Sequence, residues 1–88
     1  MYRIYSTKTF ERRLKQFLKR HPELENTVAE KLDLVIEDPF GSGLKTHKLS
    51  GRLMRNWAIS LTYEYRILFI IEGEDIYLTN IGSHDEVY

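Results

Sequence analysis

The hydrophobic period of the chain changes once, at Leu44, and no other feature constrains its fold as strongly. Before that point apolar residues recur at helical spacing. Phe10, Leu14, Phe17 and Leu18 form one stripe, and Leu24, Val28, Leu32, Val35 and Ile36 form a second with Glu23, Glu25, Glu30 and Asp33 on its outer face. After it the period is two. Trp57, Ile59, Leu61 and Tyr63 alternate with Ala58, Ser60 and Thr62, and a nearly continuous apolar run from Arg66 to Ile71 follows. A chain that is helical in its first half and extended in its second has to pack helices against a sheet.

Punctuation sets the boundaries. Tyr2 to Tyr5 reads as a short opening strand, with Ser6, Thr7 and Thr9 as N-cap choices for a helix running to about Arg20. His21-Pro22 breaks that helix, and proline suits the first turn of the next. So short a link makes the two helices an antiparallel hairpin. Asp38-Pro39-Phe40-Gly41-Ser42-Gly43 opens a loop, and Lys45 to Leu49 reads as a strand turned at Ser50-Gly51. Glu64-Tyr65 reads as a tight turn or bulge, and Glu72-Gly73-Glu74-Asp75 closes a hairpin into a last strand of alternating Ile76, Leu78 and Asn80 against Tyr77, Thr79 and Ile81. Gly82 turns the backbone out of that strand into a tip that carries His84 and Tyr88. The expected fold is α+β with the order β-α-α-β-β-β-β, the helix hairpin on one face of a curved, mainly antiparallel sheet.

With 88 residues, 1–88 form a single domain with one core, and a hydrophobic fraction of 42% is enough to pack it. The absence of cysteine removes disulfides, thiolate chemistry and the usual structural zinc sites, and is compatible with a reducing compartment. No apolar run is long enough to span a bilayer, and the first residues lack a signal-peptide core, so the expectation is a soluble cytoplasmic protein without membrane contact. Glycine patterns for nucleotide binding, His-x-x-x-His spacing and a nucleophile elbow are all missing, so neither a cofactor nor a catalytic metal is expected.

Net charge is zero but unevenly spread. Arg3, Lys8, Arg12, Arg13, Lys15, Lys19 and Arg20 face Glu11 alone, and Lys45, Lys48, Arg52 and Arg55 lie in a stretch without acids. This is either a basic face for a polyanion or a set of solvated surfaces. Arg66, at the head of the most apolar strand, either binds phosphate or pairs with Glu64, Glu72 or Asp85. Histidine is the side chain whose unperturbed pKa lies nearest neutrality, so His84 and His47 suit proton transfer, but they equally serve as a capping residue and a polar edge residue. Tyr88 can stack on a base or tuck onto the sheet. His21 reads as a turn or cap residue and Trp57 as core. Together His84, His47, Arg66 and the lysines make a set for metal-free acid–base chemistry on a polyanion. RNA suits such a set because its own 2′-hydroxyl is a nucleophile.

Three segments in order carry a family likeness: His47-Lys48-Leu49-Ser50-Gly51, Tyr63-Glu64-Tyr65-Arg66-Ile67-Leu68-Phe69, and Ile81-Gly82-Ser83-His84-Asp85-Glu86-Val87-Tyr88. The chain resembles the RelE/ParE superfamily of type II toxins over essentially its whole length, nearest the RelE/StbE and YafQ-like branches. The resemblance implies a plasmid-stabilisation type of toxin held inactive by a cognate antitoxin, a monomer alone and part of a higher-order complex with that partner. It implies an mRNA interferase acting on mRNA in the A site of the 70S ribosome and inhibiting translation. By position, Arg66 matches the strand arginine at the scissile phosphate, and His84 matches the histidine that protonates the leaving 5′-oxygen. His47 matches a loop-strand histidine, Tyr88 an aromatic near the substrate, and Lys45 and Lys48 backbone contacts. Arg52 and Arg55 extend the expected RNA surface. The implied products are a 2′,3′-cyclic phosphate and a 5′-hydroxyl.

The chain also departs from the family. The strand lysines of RelE are replaced by Trp57-Ala58-Ile59-Ser60, the glutamate base of YoeB falls near Gly43, and the additional histidine and aspartate of YafQ before Arg66 are replaced by apolar or aromatic residues. His47 is then the candidate base. Two other functions share the fold. A ParE-like DNA gyrase inhibitor needs no catalytic histidine, and an inactive member only binds antitoxin.

Overall fold

A computed structural model describes residues 1–88. Strand β1 (Arg3–Ser6) leads into helix α1 (Lys8–Arg20), a 3-10 turn (Pro22–Leu24) and helix α2 (Glu25–Glu37). Strand β2 (His47–Lys48), a second 3-10 turn (Gly51–Leu53) and strands β3 (Trp57–Ser60), β4 (Tyr65–Glu72) and β5 (Asp75–Ser83) follow, and α3 (His84–Val87) is last. The sheet order is β1-β5-β4-β3-β2. The β2–β3–β4–β5 ladder is antiparallel throughout, while β1 joins β5 in parallel. The expected α+β architecture is therefore present, with the helix pair on one face of a five-stranded mixed sheet.

Local chemistry explains the start of α1. Thr7, in extended conformation, accepts from the Phe10 N–H at 3.1 Å and donates its hydroxyl to the Leu78 carbonyl at 2.9 Å, so one side chain caps the helix and stitches it to β5. The stripe that begins at Phe10 and Phe17 then meets Val28 and Val35 of α2 over Ile59, Ile67, Phe69, Ile76, Leu78 and Ile81. That is the main core, and no polar or charged side chain is buried in it. At ~25 cal/mol per Å² of apolar surface removed from water, this layer supplies the larger share of the hydrophobic stabilisation.

Four expectations need correction. The strand read over Lys45 to Leu49 shrinks to two residues because Lys45 takes a left-handed conformation (φ 53) that cannot continue a ladder. The strand read through Tyr63 stops at Ser60. There the Ser60 hydroxyl bonds the Thr62 carbonyl while the Thr62 hydroxyl accepts from the N–H groups of Glu64 and Tyr65, and Tyr63 ends 93% exposed. Gly82 does not turn the chain. It is in β5, opposite Arg66, and β5 runs on to Ser83. Finally, the tip is a helix. Ser83 and Glu86 form a reciprocal capping box, with Ser83 N–H to Glu86 Oε1 at 2.8 Å and Glu86 N–H to the Ser83 hydroxyl at 3.3 Å.

Glycine at position 82 is required by that helix. A Cβ there would stand 3.0 Å from Glu86 Oε1, 3.2 Å from Glu86 Cβ and 3.3 Å from Val87 Cγ1. With that space open, α3 folds back and Val87 packs on Ala58 and Leu68, with Leu49 and Tyr88 around them. This small second cluster lies on the sheet face opposite the main core, which is why adjacent residues Ala58 and Ile59 are both fully buried. No helix of the chain is long and apolar enough to cross a membrane.

Candidate active site

Strand register assigns the side chains to faces. His47 is opposite Ala58, which is opposite Leu68, and Ser60 is opposite Arg66, which is opposite Gly82. These residues share the face that carries the small cluster, not the face that carries the long helices. α3 completes the arrangement by bringing His84 and Tyr88 over the same face.

Tyr88 is the hub. Its hydroxyl is 2.9 Å from His47 Nε2, and its ring meets the His84 ring edge-on with centroids 4.2 Å apart. The His47 and Tyr88 rings are 6.2 Å apart, nearly perpendicular. On its other side His47 Nδ1 is 3.2 Å from the Lys45 carbonyl, which can only accept, so that nitrogen carries the proton. In the neutral ring Nε2 is then the acceptor and the tyrosine hydroxyl the donor. The left-handed turn at Lys45 thus selects the tautomer of His47. Burial pushes the Tyr88 phenol above its ordinary pKa, and the positive charge of Arg66 opposes the shift.

Arg66 pairs with none of Glu64, Glu72 or Asp85. Its Nη1 is shared among the carbonyls of Thr62, Tyr63 and Tyr65 at 3.0, 3.0 and 3.1 Å. Carbonyls orient the guanidinium without cancelling its charge, and its outer N–H groups lie toward the Tyr88 hydroxyl, whose burial-raised phenol pKa they lower. His84 is 62% exposed at its side chain and has Asp85 Oδ1 3.5 Å from Nδ1. It is thus an accessible imidazole beside a carboxylate.

The structure therefore brings His47, Arg66, His84 and Tyr88 together on one face, and places Lys48 and Arg55 elsewhere. Lys48 points to the opposite face, its Nζ 4.8 Å above the Trp57 ring. Arg55 pairs with Glu72 at 3.4 Å at the far end of β4 from Arg66, about 20 Å along the strand. Lys45 and Arg52 are exposed, in the turn before β2 and in the 3-10 turn after it. His21 is a structural residue at the end of α1, its Nε2 3.1 Å from the Tyr65 hydroxyl and its ring against Phe17. Half-buried Trp57 packs against the main core and under Phe40. No group of His, Asp and Glu side chains is arranged to hold a metal ion.

Sequence reasoning missed Ser83 and Glu86, which hold the helix bearing His84 and Tyr88. Their signal, Ser-x-x-Glu, was present in Ser83-His84-Asp85-Glu86. Glu86 is held below the ordinary carboxylate pKa, first by the Ser83 backbone N–H, then by its hydroxyl, with Arg13 and Arg20 adding to the effect.

No family model and no curated protein sequence matches the chain. Solved structures do. YafQ from E. coli strain BL21(DE3) superposes with a TM-score of 0.85 at 16% identity, over 100% of this chain and 99% of that one. YafQ in the E. coli DinJ–YafQ toxin–antitoxin complex gives 0.82 at 16% identity, over 99% and 97%. The YoeB/ParE toxin from Agrobacterium tumefaciens gives 0.76 at 17% identity, over 96% and 99%. At such identities the likeness is one of fold. The chain shares the fold of YafQ and of the YoeB/ParE toxin over essentially its full length.

Proposed function

We propose that the chain is the toxin of a type II toxin–antitoxin pair and that it acts as a metal-free endoribonuclease on mRNA bound to the ribosome. The observation that carries this reading is the line of His47, Tyr88 and His84 beside an arginine whose charge no carboxylate cancels. Acid–base pairs separated by a cationic phosphate holder are what cleavage through the 2′-hydroxyl needs. The RelE-like fold and the antitoxin complex formed by a structural neighbour support it.

In this reaction Arg66 binds the non-bridging oxygens of the scissile phosphate through Nη2 and Nε, while Nη1 stays on its three carbonyls. The 2′-hydroxyl attacks phosphorus, and its proton passes to the Tyr88 oxygen as the Tyr88 proton passes to His47 Nε2. Protonated His84 gives its proton to the departing 5′-oxygen. A P–O bond forms at O2′ and one breaks at O5′, leaving a 2′,3′-cyclic phosphate and a 5′-hydroxyl. Charge grows on the phosphoryl oxygens in the transition state, so Arg66 acts mainly on kcat. His47 thus becomes the base through Tyr88, a relay that explains why a phenol of raised pKa stands between two histidines.

The antitoxin is the natural inhibitor of such a site if it covers the His47–Tyr88–His84 line. The test is induction in a bacterial host with cleavage sites mapped on ribosome-bound message. Wild type should arrest growth and cut message, while Arg66→Ala and His84→Gln should each lose at least ~100-fold in cleavage rate. Toxicity of His84→Gln equal to wild type, with DNA damage in place of cut message, would overturn the nuclease and favour a gyrase inhibitor.

A further inference from the structure

The molecule has one cavity, of about 100 Å³, and it lies outside the cluster of His47, Arg66, His84 and Tyr88. Strand pairing explains its existence. β1 pairs with β5 only over Asp75 to Leu78, so the outer edge of β5 beyond Leu78 has no neighbouring strand and faces α1 and α3. Between them the cavity is walled by Arg13, Gln16 and Arg20, which share one stripe of α1, and by His21, Tyr65 and Gly82, with Glu86 beside them.

Its chemistry is unbalanced. Arg13 is half-buried and makes no hydrogen bond or ion pair with the protein. Arg20 Nη1 forms a loose ion pair with Glu86 Oε2 at 3.8 Å, too long for a hydrogen bond, while Glu86 Oε1 accepts from the Ser83 N–H, so one carboxylate faces two guanidinium groups. His21 and Tyr65 satisfy each other. Two guanidinium groups and the Gln16 amide are left with many more N–H donors than the walls supply acceptors, which is the composition of an oxyanion site. The volume is enough for a phosphate group.

The location relates the cavity to the reaction. Gly82 lines it and is also the cross-strand partner of Arg66. The cavity is thus about two strand spacings, ~10 Å, from the Arg66 backbone, with the His84 helix beside both. We propose that it is a second phosphate site, in which Arg13 and Arg20 hold a backbone phosphate of the RNA strand a few nucleotides from the scissile one. This rests on the nuclease reading above. An RNA strand is favoured over a single protein carboxylate because Lys8, Arg12, Lys15 and Lys19 continue the positive charge along α1, where only Glu11 opposes it, and Glu11 is bonded to Ser6.

Two measurements test it. Inorganic phosphate titrated into isotope-labelled protein free of antitoxin should shift the Gln16 side-chain amide, the Gly82 backbone amide and the Arg13 Nε–H, and Arg13→Gln should abolish those shifts. Single-turnover cleavage of ribosome-bound message at rising protein concentration should show the half-saturating concentration raised about tenfold by Arg13→Gln or Arg20→Gln, with the plateau rate within about twofold of wild type. Both variants should keep the wild-type far-ultraviolet spectrum, since neither guanidinium packs in the core. Absence of phosphate-dependent shifts in wild type overturns the site. Shifts with an unchanged half-saturating concentration overturn its RNA role and point to an antitoxin carboxylate. If wild type binds phosphate but cuts no message, it is the nuclease reading that fails, and the phosphate shifts alone then judge the cavity.

Discussion

The two faces of the sheet are built on different principles. The face under α1 and α2 buries Phe10, Phe17, Val28 and Val35 against six strand residues, with nothing polar inside. The opposite face has a three-residue cluster, Ala58, Leu68 and Val87, held under a four-residue helix that a capping box keeps in place. One face secures the fold with packing. The other spends its area on His47, Arg66, His84 and Tyr88, and their geometry depends on a few hydrogen bonds. Stability and site precision should therefore respond to different substitutions.

Phe69→Ala is the strongest test of that division. Phe69 is fully buried in the main core, and its truncation should cost about 3–5 kcal/mol, read from the denaturant midpoint, a large part of what a small domain possesses. A loss below ~1 kcal/mol would show that the helix-bearing face is not the main source of stability.

Gly82→Ala should do less to the fold and more to the site. The new methyl would press on Glu86 and Val87, costing about 1–3 kcal/mol as overpacking or displacing α3 altogether. Message cleavage should fall at least ~10-fold while the main-core signals stay native. Full activity with Val87 still packed on Leu68 would break the comparison, because the site would then tolerate movement of its own support.

The smallest effect is a pH dependence confined to α3. Glu86 has a lowered pKa in the folded chain, so its stabilisation is complete above the ordinary carboxylate range and is lost as pH falls through the lowered value. The Val87 methyl resonances, followed from pH 6 downward, should move in that acid window ahead of the main core. Glu86→Gln should remove the step, and an identical step in that variant would assign it to another acid.

Much of the first face was legible because it is repetitive. The stripe through Phe10 and Phe17 and the alternation of Ile76 and Leu78 each recur often enough to state a period. The second face has no such redundancy. Four residues cannot display a helical period, so Ser83-His84-Asp85-Glu86 reads as a tip unless the capping box is recognised. Gly82 looks like a turn because the space its missing Cβ leaves for α3 is a tertiary fact. The Arg66 carbonyl partners depend on a turn whose strand boundary was read three residues late. Lys48 and His47 are neighbours in sequence, but pleating sends them to opposite faces, so a basic stretch that reads as one patch is split between the two.

The parallel pairing of β1 with β5 has a kinetic consequence. Arg3 and Asp75, joined at 2.8 Å, are 72 residues apart in the chain, so the pairing closes a loop that holds nearly everything else. Contacts of such separation slow folding, because the ordering of a long loop precedes the contacts that reward it. During synthesis β1 waits for β5, and the segment with His84 and Tyr88 follows later still. The cluster of His47, Arg66, His84 and Tyr88 is therefore assembled only after the strand that closes this long loop has been made, so the site inherits the slowest contact of the fold.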